Sequence, residues 1–280
     1  LMVLSGSALA FGAPQGKTPA AELAAIIDQH WTWFLDQSPQ KRSQLGDQSG
    51  ADRWDDVSLA AQENRYAKRG QLLEQLAKIE VGALNDDQKL NHALLKRQLE
   101  GKRKRYELGL HLMTMTMRDG PQQLYTTSEY SSFLTEQDYR NWIGRLRTVP
   151  RVLQQHREIL QEGIARQRVQ PRVVMKRIPG QLDTVITSPE QSPFYKPFKR
   201  MPTHFSAATV AALRQTAIEV IGRQVTPAYR SFREFFTATY LPAARPEAGI
   251  GSLPGGEEIY RFLARDFTTT AMTPTEIHET

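Results

Sequence analysis

Residues 135–170 read TEQDYRNWIGRLRTVPRVLQQHREILQEGIARQRVQ, and this stretch decides the fold class. Thr135-Glu136-Gln137-Asp138 is a capping sequence, in which a hydroxyl accepts an orphan amide of the first turn and an acid three residues on reaches back. Behind it, Tyr139, Trp142, Ile143, Leu146 and Val149 recur at helical spacing. The pattern resumes past Pro150 with Val152, Leu153, Ile159, Leu160 and Ile164. Pro150 predicts a kink or a restart, because proline removes a donor and crowds the preceding turn.

The same period extends in both directions. Thr18-Pro19 opens a helix with the stripe Leu23, Ile26, Ile27, Trp31 and Phe34, ending near Ser38-Pro39. Ser58 caps a second, carrying Leu59, Tyr66, Leu72, Leu73, Leu76 and Ile79. Asn85-Asp86-Asp87-Gln88 opens a third, with Leu90, Leu94, Leu95, Leu99, Tyr106 and Leu110. Pro171 begins another, ending at Pro179-Gly180 or near Ser188-Pro189. Ser206 caps a long helix, kinked at Pro227, that runs to about Tyr240. A Pro/Gly loop, Pro242 to Gly256, precedes a short helix with Ile259, Tyr260, Phe262 and Leu263. The alternation Met113-Thr114-Met115-Thr116-Met117 is the best strand or extended-segment candidate. The prediction is an all-α body of long helices, with at most one short hairpin or extended segment near 113–117.

The 280 residues are 40% hydrophobic and 24% charged, a soluble globular balance. No apolar run approaches the roughly 18 residues of a membrane helix, so no membrane span is expected. The absence of cysteine removes disulfides, thiolate-held metals and a thiol nucleophile together. Net charge is +6, and the excess is uneven: from Arg140 to Arg177 the only acids are Glu158 and Glu162. Lys102-Arg103-Lys104-Arg105 is a second basic cluster. Both read as solvated helix faces. Aromatic residues are not interleaved with them as a stacking platform needs, so no nucleic-acid partner is expected.

The two ends carry separate signals. Residues 1 to about 13 read as the tail of a secretory signal, with Ala8-x-Ala10 as a small-residue cleavage site; the alternative is a disordered or buried apolar arm. Ser7 stands where a lipoprotein signal places its lipidated cysteine, so the form written here is expected to be exported, periplasmic or extracellular, and not lipid-anchored. At the other end, Thr273-Pro274-Thr275-Glu276 is a helix start with almost no helix behind it. It suggests a domain of residues 14–280 that is truncated at its C-terminus, the alternative being a chance cap in a frayed tail.

Chemistry-bearing motifs are scarce. There is no His-Glu-x-x-His, no Gly-x-Ser-x-Gly elbow and no phosphate-binding loop. The glycines at 249, 251, 255 and 256 read as turns. Histidines 30, 92, 111, 156, 204 and 278 are never three or four apart, so no helix presents a paired metal site. Asp52, Asp55 and Asp56 look like an acidic ligand cluster, but Asp56 can cap a helix and Arg53 can neutralise a neighbour.

Several strings together resemble one family. They are Gly50-Ala51-Asp52-Arg53-Trp54-Asp55-Asp56; MTMRDGPQ at 115–122; Asp138-Tyr139 through Pro150 into Gln155-His156; and Gln170-Pro171-Arg172 through Gln181-Leu182-Asp183. The strongest is Leu253-Pro254-Gly255-Gly256 with Glu258, Tyr260, Thr268-Thr269-Thr270, Met272-Thr273-Pro274, Glu276, Ile277 and His278. In order and spacing they resemble the bacterial domain of unknown function 885 (DUF885) family. That resemblance implies a larger, mostly helical fold similar to zinc peptidases of the carboxypeptidase Taq and oligopeptidase type. It also implies a peptide substrate and a zinc site in a C-terminal half. This chain would be the N-terminal half, with none of the zinc ligands and therefore no cofactor of its own. It would form one wall of a peptide-binding cleft and be inactive without the missing half. Arg118 and Asp119 are the cleft candidates, together with the arginine-rich helices; the alternative for Arg118-Asp119-Gly120-Pro121 is a plain turn. No catalytic or metal residue is assigned to the chain itself. The competing reading is a non-enzymatic helical binding module or scaffold of the envelope.

Overall fold

A computed structural model describes residues 18–280. The signal segment expected over residues 1 to 13, with Ser7 and Ala8-x-Ala10, lies outside the described residues. The rest is helical: α1 Pro19–Asp36, α2 Pro39–Gln44, α3 Leu59–Leu76, α4 Asp86–Glu107, α5 Glu136–Ala165, α6 Arg172–Met175, α7 Ile178–Asp183, α8 Lys196–Lys199, α9 Ala207–Val220, α10 Thr226–Phe235, α11 Leu241–Ala243, α12 Gly256–Thr268 and α13 Pro274–Glu279. Among the described residues there is no strand. One isolated parallel bridge joins Pro171 to Arg245. No helix is long and apolar enough to cross a membrane.

The start signals act as their chemistry demands. Thr135 Oγ1 accepts from the Asp138 amide at 3.3 Å, and Asp138 Oδ2 accepts from the Thr135 amide at 2.8 Å. Asn85 and Gln88 close the same reciprocal box at α4, and Thr273 and Glu276 at α13. Ser58, and not Asp56, caps α3 by accepting from the Ala61 amide at 3.2 Å. Asp56 instead accepts from the Ser58 amide.

α5 is the axis of the molecule. It runs unbroken through Pro150 for 30 residues, where a restart was one expectation. Proline forfeits one backbone hydrogen bond there, and the burial of Leu146, Val149, Val152 and Leu153 on either side offsets that loss. Its inward face meets α9 and α10 in the main core, which includes Trp142, Phe194, Phe198, Tyr229 and Phe236. Two of the buried aromatics that carry a polar atom donate to carbonyls: Trp142 Nε1 to Phe194 at 3.0 Å and the Tyr229 hydroxyl to Pro121 at 2.6 Å. A second core lies among α1, α3 and α4, around Leu23, Leu72, Leu76 and Leu99. A small third one holds Leu108, Leu253 and Ile259.

The long helix after Ser206 continues from α9 into α11, with π-helical turns at Ile221–Val225 and Phe236–Tyr240. Each widened turn contains the residue four before a proline, Arg223 before Pro227 and Ala238 before Pro242. The wider turn makes room for a ring that would otherwise strike that carbonyl, so the chain stays helical. Pro171 is followed by two short helices, α6 and α7.

Met113 to Thr116 has no regular secondary structure and pairs with no strand. Side-chain amides take the place of a ladder: Gln170 Nε2 donates to the Met113 carbonyl at 2.9 Å, Gln122 Nε2 to Thr116 at 2.8 Å and Gln181 Nε2 to Met117 at 3.0 Å. Met115 is fully buried against the main core.

Not every apolar helix position is inward. Leu90 and Leu94 of α4 are 57% and 56% exposed, and Tyr260 and Phe267 of α12 are 50% and 76% exposed. Phe262 and Leu263 are half-buried against the third core. Of the loop glycines, Gly255 makes the expected turn at φ +68°, while Gly256 opens α12, where a Cβ would meet the Ile250 carbonyl oxygen at 2.4 Å.

Candidate functional site

The described residues enclose a polar cleft of about 440 Å³ where α1, α3 and α5 converge on the loop Gly50–Val57. Trp54 builds it. Its indole is buried, edge-on to Trp142 with ring centres 6.0 Å apart, and Nε1 donates to the Arg145 carbonyl at 2.8 Å. Plugging this ring into the core fixes Arg53, Asp55 and Asp56 at the cleft wall.

Arg145 answers from α5. Its guanidinium is fully buried and serves four neutral oxygens: the Arg53 carbonyl at 2.9 Å, Ser43 Oγ at 2.9 Å, Ser131 Oγ at 3.3 Å and the Pro39 carbonyl at 3.4 Å. It also lies over the Trp54 ring at 5.5 Å. Burial lowers its pKa to about 10, with Asp55 and Asp52 opposing, so it is charged at neutral pH. Of the arginine series read as solvated faces, this member is the opposite: an internal tie between α2, the Trp54 loop and α5.

The carboxylates of the cleft are engaged. Asp56 accepts from the Ser58 amide, from Gln155 Nε2 at 2.9 Å and from Arg151 Nη2 at 3.1 Å. Burial pushes its pKa up, but the Ser58 amide and hydroxyl, Arg151 and Arg65 together hold it below the usual carboxylate range. Asp55 accepts from the Gln40 amide at 3.0 Å. Its burial raises its pKa against the pull of that amide, Arg65 and Arg145. Asp36 is taken by Arg42. Asp52 lies 3.9 Å from Arg53, the neighbour expected to be neutralised. The acidic string is thus a set of tethers, and among the described residues no three His, Cys, Asp or Glu side chains group as metal ligands.

The guanidinium groups are the less occupied partners. Arg65 of α3 makes one hydrogen bond, from Nη2 to the Asp56 carbonyl, and has no ion pair within 4.0 Å among the described residues. Arg69, one turn on, lies over Trp33 at 5.8 Å. Burial, with Arg65 as a like charge, lowers its pKa to about 10. Arg53 and Arg151 stand at the rim, their side chains 64% and 70% exposed.

Arg118 and Asp119 lie elsewhere, exposed on a turn closed by Thr116. Thr116 Oγ1 accepts from both their amides, at 3.1 and 2.9 Å, and the Thr116 amide donates to the Asp119 carbonyl at 2.8 Å. Gly120, at φ +135°, completes a bend that other residues rarely adopt. This pair does not line the polar cleft at Trp54. Reading from sequence missed Arg65, Arg69, Trp33 and Arg145, although a signal existed. Arg65, Arg69, Leu72 and Leu76 form one i, i+4, i+7, i+11 stripe, which places two charges on an inward face.

The histidines have separate surroundings. His156 is buried and held neutral, its pKa pushed down to about 4 by burial. His111 stacks on Tyr106 at 4.2 Å. His92 meets the Leu76 carbonyl at 3.1 Å. His278 is exposed on α13. The described residues do not fit a zinc ion.

A second groove, also about 440 Å³, separates α4 from α12. Lys104–Glu258 at 2.7 Å and Arg105–Asp266 at 2.6 Å bridge it. Arg105 faces the Phe262 and Phe267 rings at 5.8 and 5.7 Å.

The sequence model of a family described as "Bacterial protein of unknown function (DUF885)" matches residues 39–280. None of the curated proteins matches the chain. The fold is similar to a solved structure described as "the putative lipoprotein from Colwellia psychrerythraea", with TM-score 0.80 and 17% identity. The match covers 94% of this chain and 48% of that one, so the chain spans about half the length of the structure it resembles.

Proposed function

The chain belongs to the DUF885 family of bacterial proteins, and on that premise we propose that it is the N-terminal helical half of an exported zinc-metallopeptidase-like protein. In this reading it forms one wall of a peptide-binding cleft and hydrolyses nothing alone. The observation that carries the reading is the extent of the match, nearly all of this chain against about half of a longer one. The exposed rings of Tyr260 and Phe267 on α12 support it, because a face of this kind is what a second half would cover. The turn bearing Arg118 and Asp119 is offered to substrate as an exposed charged pair on a fixed backbone. Zinc would be held by residues outside this chain, and no step of hydrolysis is routed through the described side chains. The lipoprotein description of the structural neighbour supports export.

The test is peptide hydrolysis by the product of the whole gene, followed by mass spectrometry with and without 1,10-phenanthroline. Chelator-sensitive cleavage is expected, with slower turnover when Arg118 or Asp119 is changed to Ala. No cleavage across a diverse peptide library would refute the reading. The second reading, a non-enzymatic binding module, is favoured by the polar cleft at Trp54, a built cavity with the guanidinium groups of Arg53 and Arg151 at its rim.

A further inference from the structure

We propose that the cleft between α1, α3 and α5 binds a carboxylate ligand, with Arg65 taking the carboxylate, Arg53 and Arg151 steering it at the rim, and the Trp33 indole forming the apolar wall. The argument is a balance of donors against acceptors. Asp55 and Asp56 already accept hydrogen bonds from Gln40, Ser58, Gln155 and Arg151, and Arg42 holds Asp36. Arg65 uses one of its donors and Arg53 has no partner nearer than Asp52 at 3.9 Å. The cleft therefore presents spare donors, which are complementary to an anionic acceptor.

A half-buried arginine costs solvation energy that a counter-charge ordinarily offsets. Arg65 and Arg69 sit one helical turn apart with like charge, and Arg69 finds only the face of Trp33. Lys102 of α4, itself exposed, brings a further like charge to Arg69; partial desolvation, with Arg69 and Arg105 adding to it and Asp266 opposing, lowers its pKa. Neighbouring cations thus accumulate behind Arg65 without an ion pair to Arg65 or Arg69 among the described residues. Arginine's planar fork favours a two-oxygen partner, and the adjoining indole favours a ligand with an apolar or peptide part beside its carboxylate. Asp55 and Asp56, whose charges both act on Arg65, are the groups an incoming anion must compete with.

This inference is independent of peptide hydrolysis. Isothermal titration of the full chain with acetyl-Glu-Glu-Glu-amide, succinate and inorganic phosphate tests it. Saturable binding of a carboxylate probe is expected, weakened about tenfold or more in Arg65→Gln and in the rim variant Arg151→Gln, and tightened in Asp55→Asn. Arg118→Gln, on its distant turn, should bind as the parent does. Peptide binding tighter than succinate identifies a peptide side chain as the source, and equal binding identifies a free dicarboxylate. Binding of phosphate in preference to both, absence of saturable binding, or affinity unchanged in both Arg65→Gln and Arg151→Gln would overturn the proposal. The Arg151 variant guards against misfolding of the Arg65 one, because Arg151 is at the exposed rim.

Discussion

Trp54 donates its indole N–H to the Arg145 carbonyl at 2.8 Å, and Arg145 Nε donates to the carbonyl of Arg53, the residue before that tryptophan, at 2.9 Å. This reciprocal clasp joins a loop to the central helix 91 residues on. It supplies the fixed wall on which the cleft is built.

Arg145→Ala should therefore be among the most damaging substitutions in the chain. It takes the guanidinium donor away from the Arg53 carbonyl and two serine hydroxyl oxygens, leaves the Pro39 carbonyl with the Ser43 hydroxyl alone among side-chain donors, and opens a cavity beside Trp54. A loss of about 3 kcal/mol or more is expected in urea unfolding. Arg145→Lys should not restore it, because one ammonium cannot span the four acceptors. Trp54→Phe, which removes one hydrogen bond and part of a ring, should cost less than Arg145→Ala. A wild-type unfolding midpoint for Arg145→Ala would show that the clasp is dispensable.

His156 makes stability depend on pH. Its folded pKa, about 4, lies below the ordinary 6.5, so the unfolded chain binds the proton more tightly. Stability is full above about pH 6.5 and declines as pH falls from there towards 4. By pH 5 the loss from this group is roughly 2 kcal/mol. A His156→Leu variant should show a flatter stability profile between pH 7.5 and pH 5. An unchanged slope would mean that the imidazole is solvated or paired.

The helix starts, the central helix and the absence of sheet were legible from sequence because capping and period are local properties of the chain. Thr135 with Asp138 and Asn85 with Gln88 act within three residues of themselves. What sequence did not disclose was set by partners far along the chain. Met113–Met117 has a strand's alternation, but the amides of Gln122, Gln170 and Gln181 occupy carbonyls that a ladder would have used. Pro150 reads from sequence as a kink or restart, Pro227 as a kink and Pro242 as the start of a loop, whereas packing and π-helical turns carry the helix through all three. Arg145 was counted with the solvated bases, although it follows Trp142 by three residues on an inward stripe. Its burial depends on Ser43 and the Pro39 carbonyl, about a hundred residues away in sequence.

The apolar face of α12 makes a further prediction. Tyr260→Ser and Phe267→Ser should change folding stability by only about 0.5 kcal/mol, as expected for largely exposed positions. The double variant should lower self-association and dye binding by the chain, because it removes the two most exposed rings of that face. Retained self-association in sedimentation would place the sticky surface elsewhere, with Leu90 and Leu94 of α4 the next to test.

Zinc stoichiometry separates the two halves of the account. Elemental analysis should be run after dialysis on the chain of residues 1–280 and on the product of the whole gene, prepared side by side. The account predicts no stoichiometric zinc in the former and one tightly held zinc in the latter. One equivalent of zinc on residues 1–280, or none on the whole product, would contradict it.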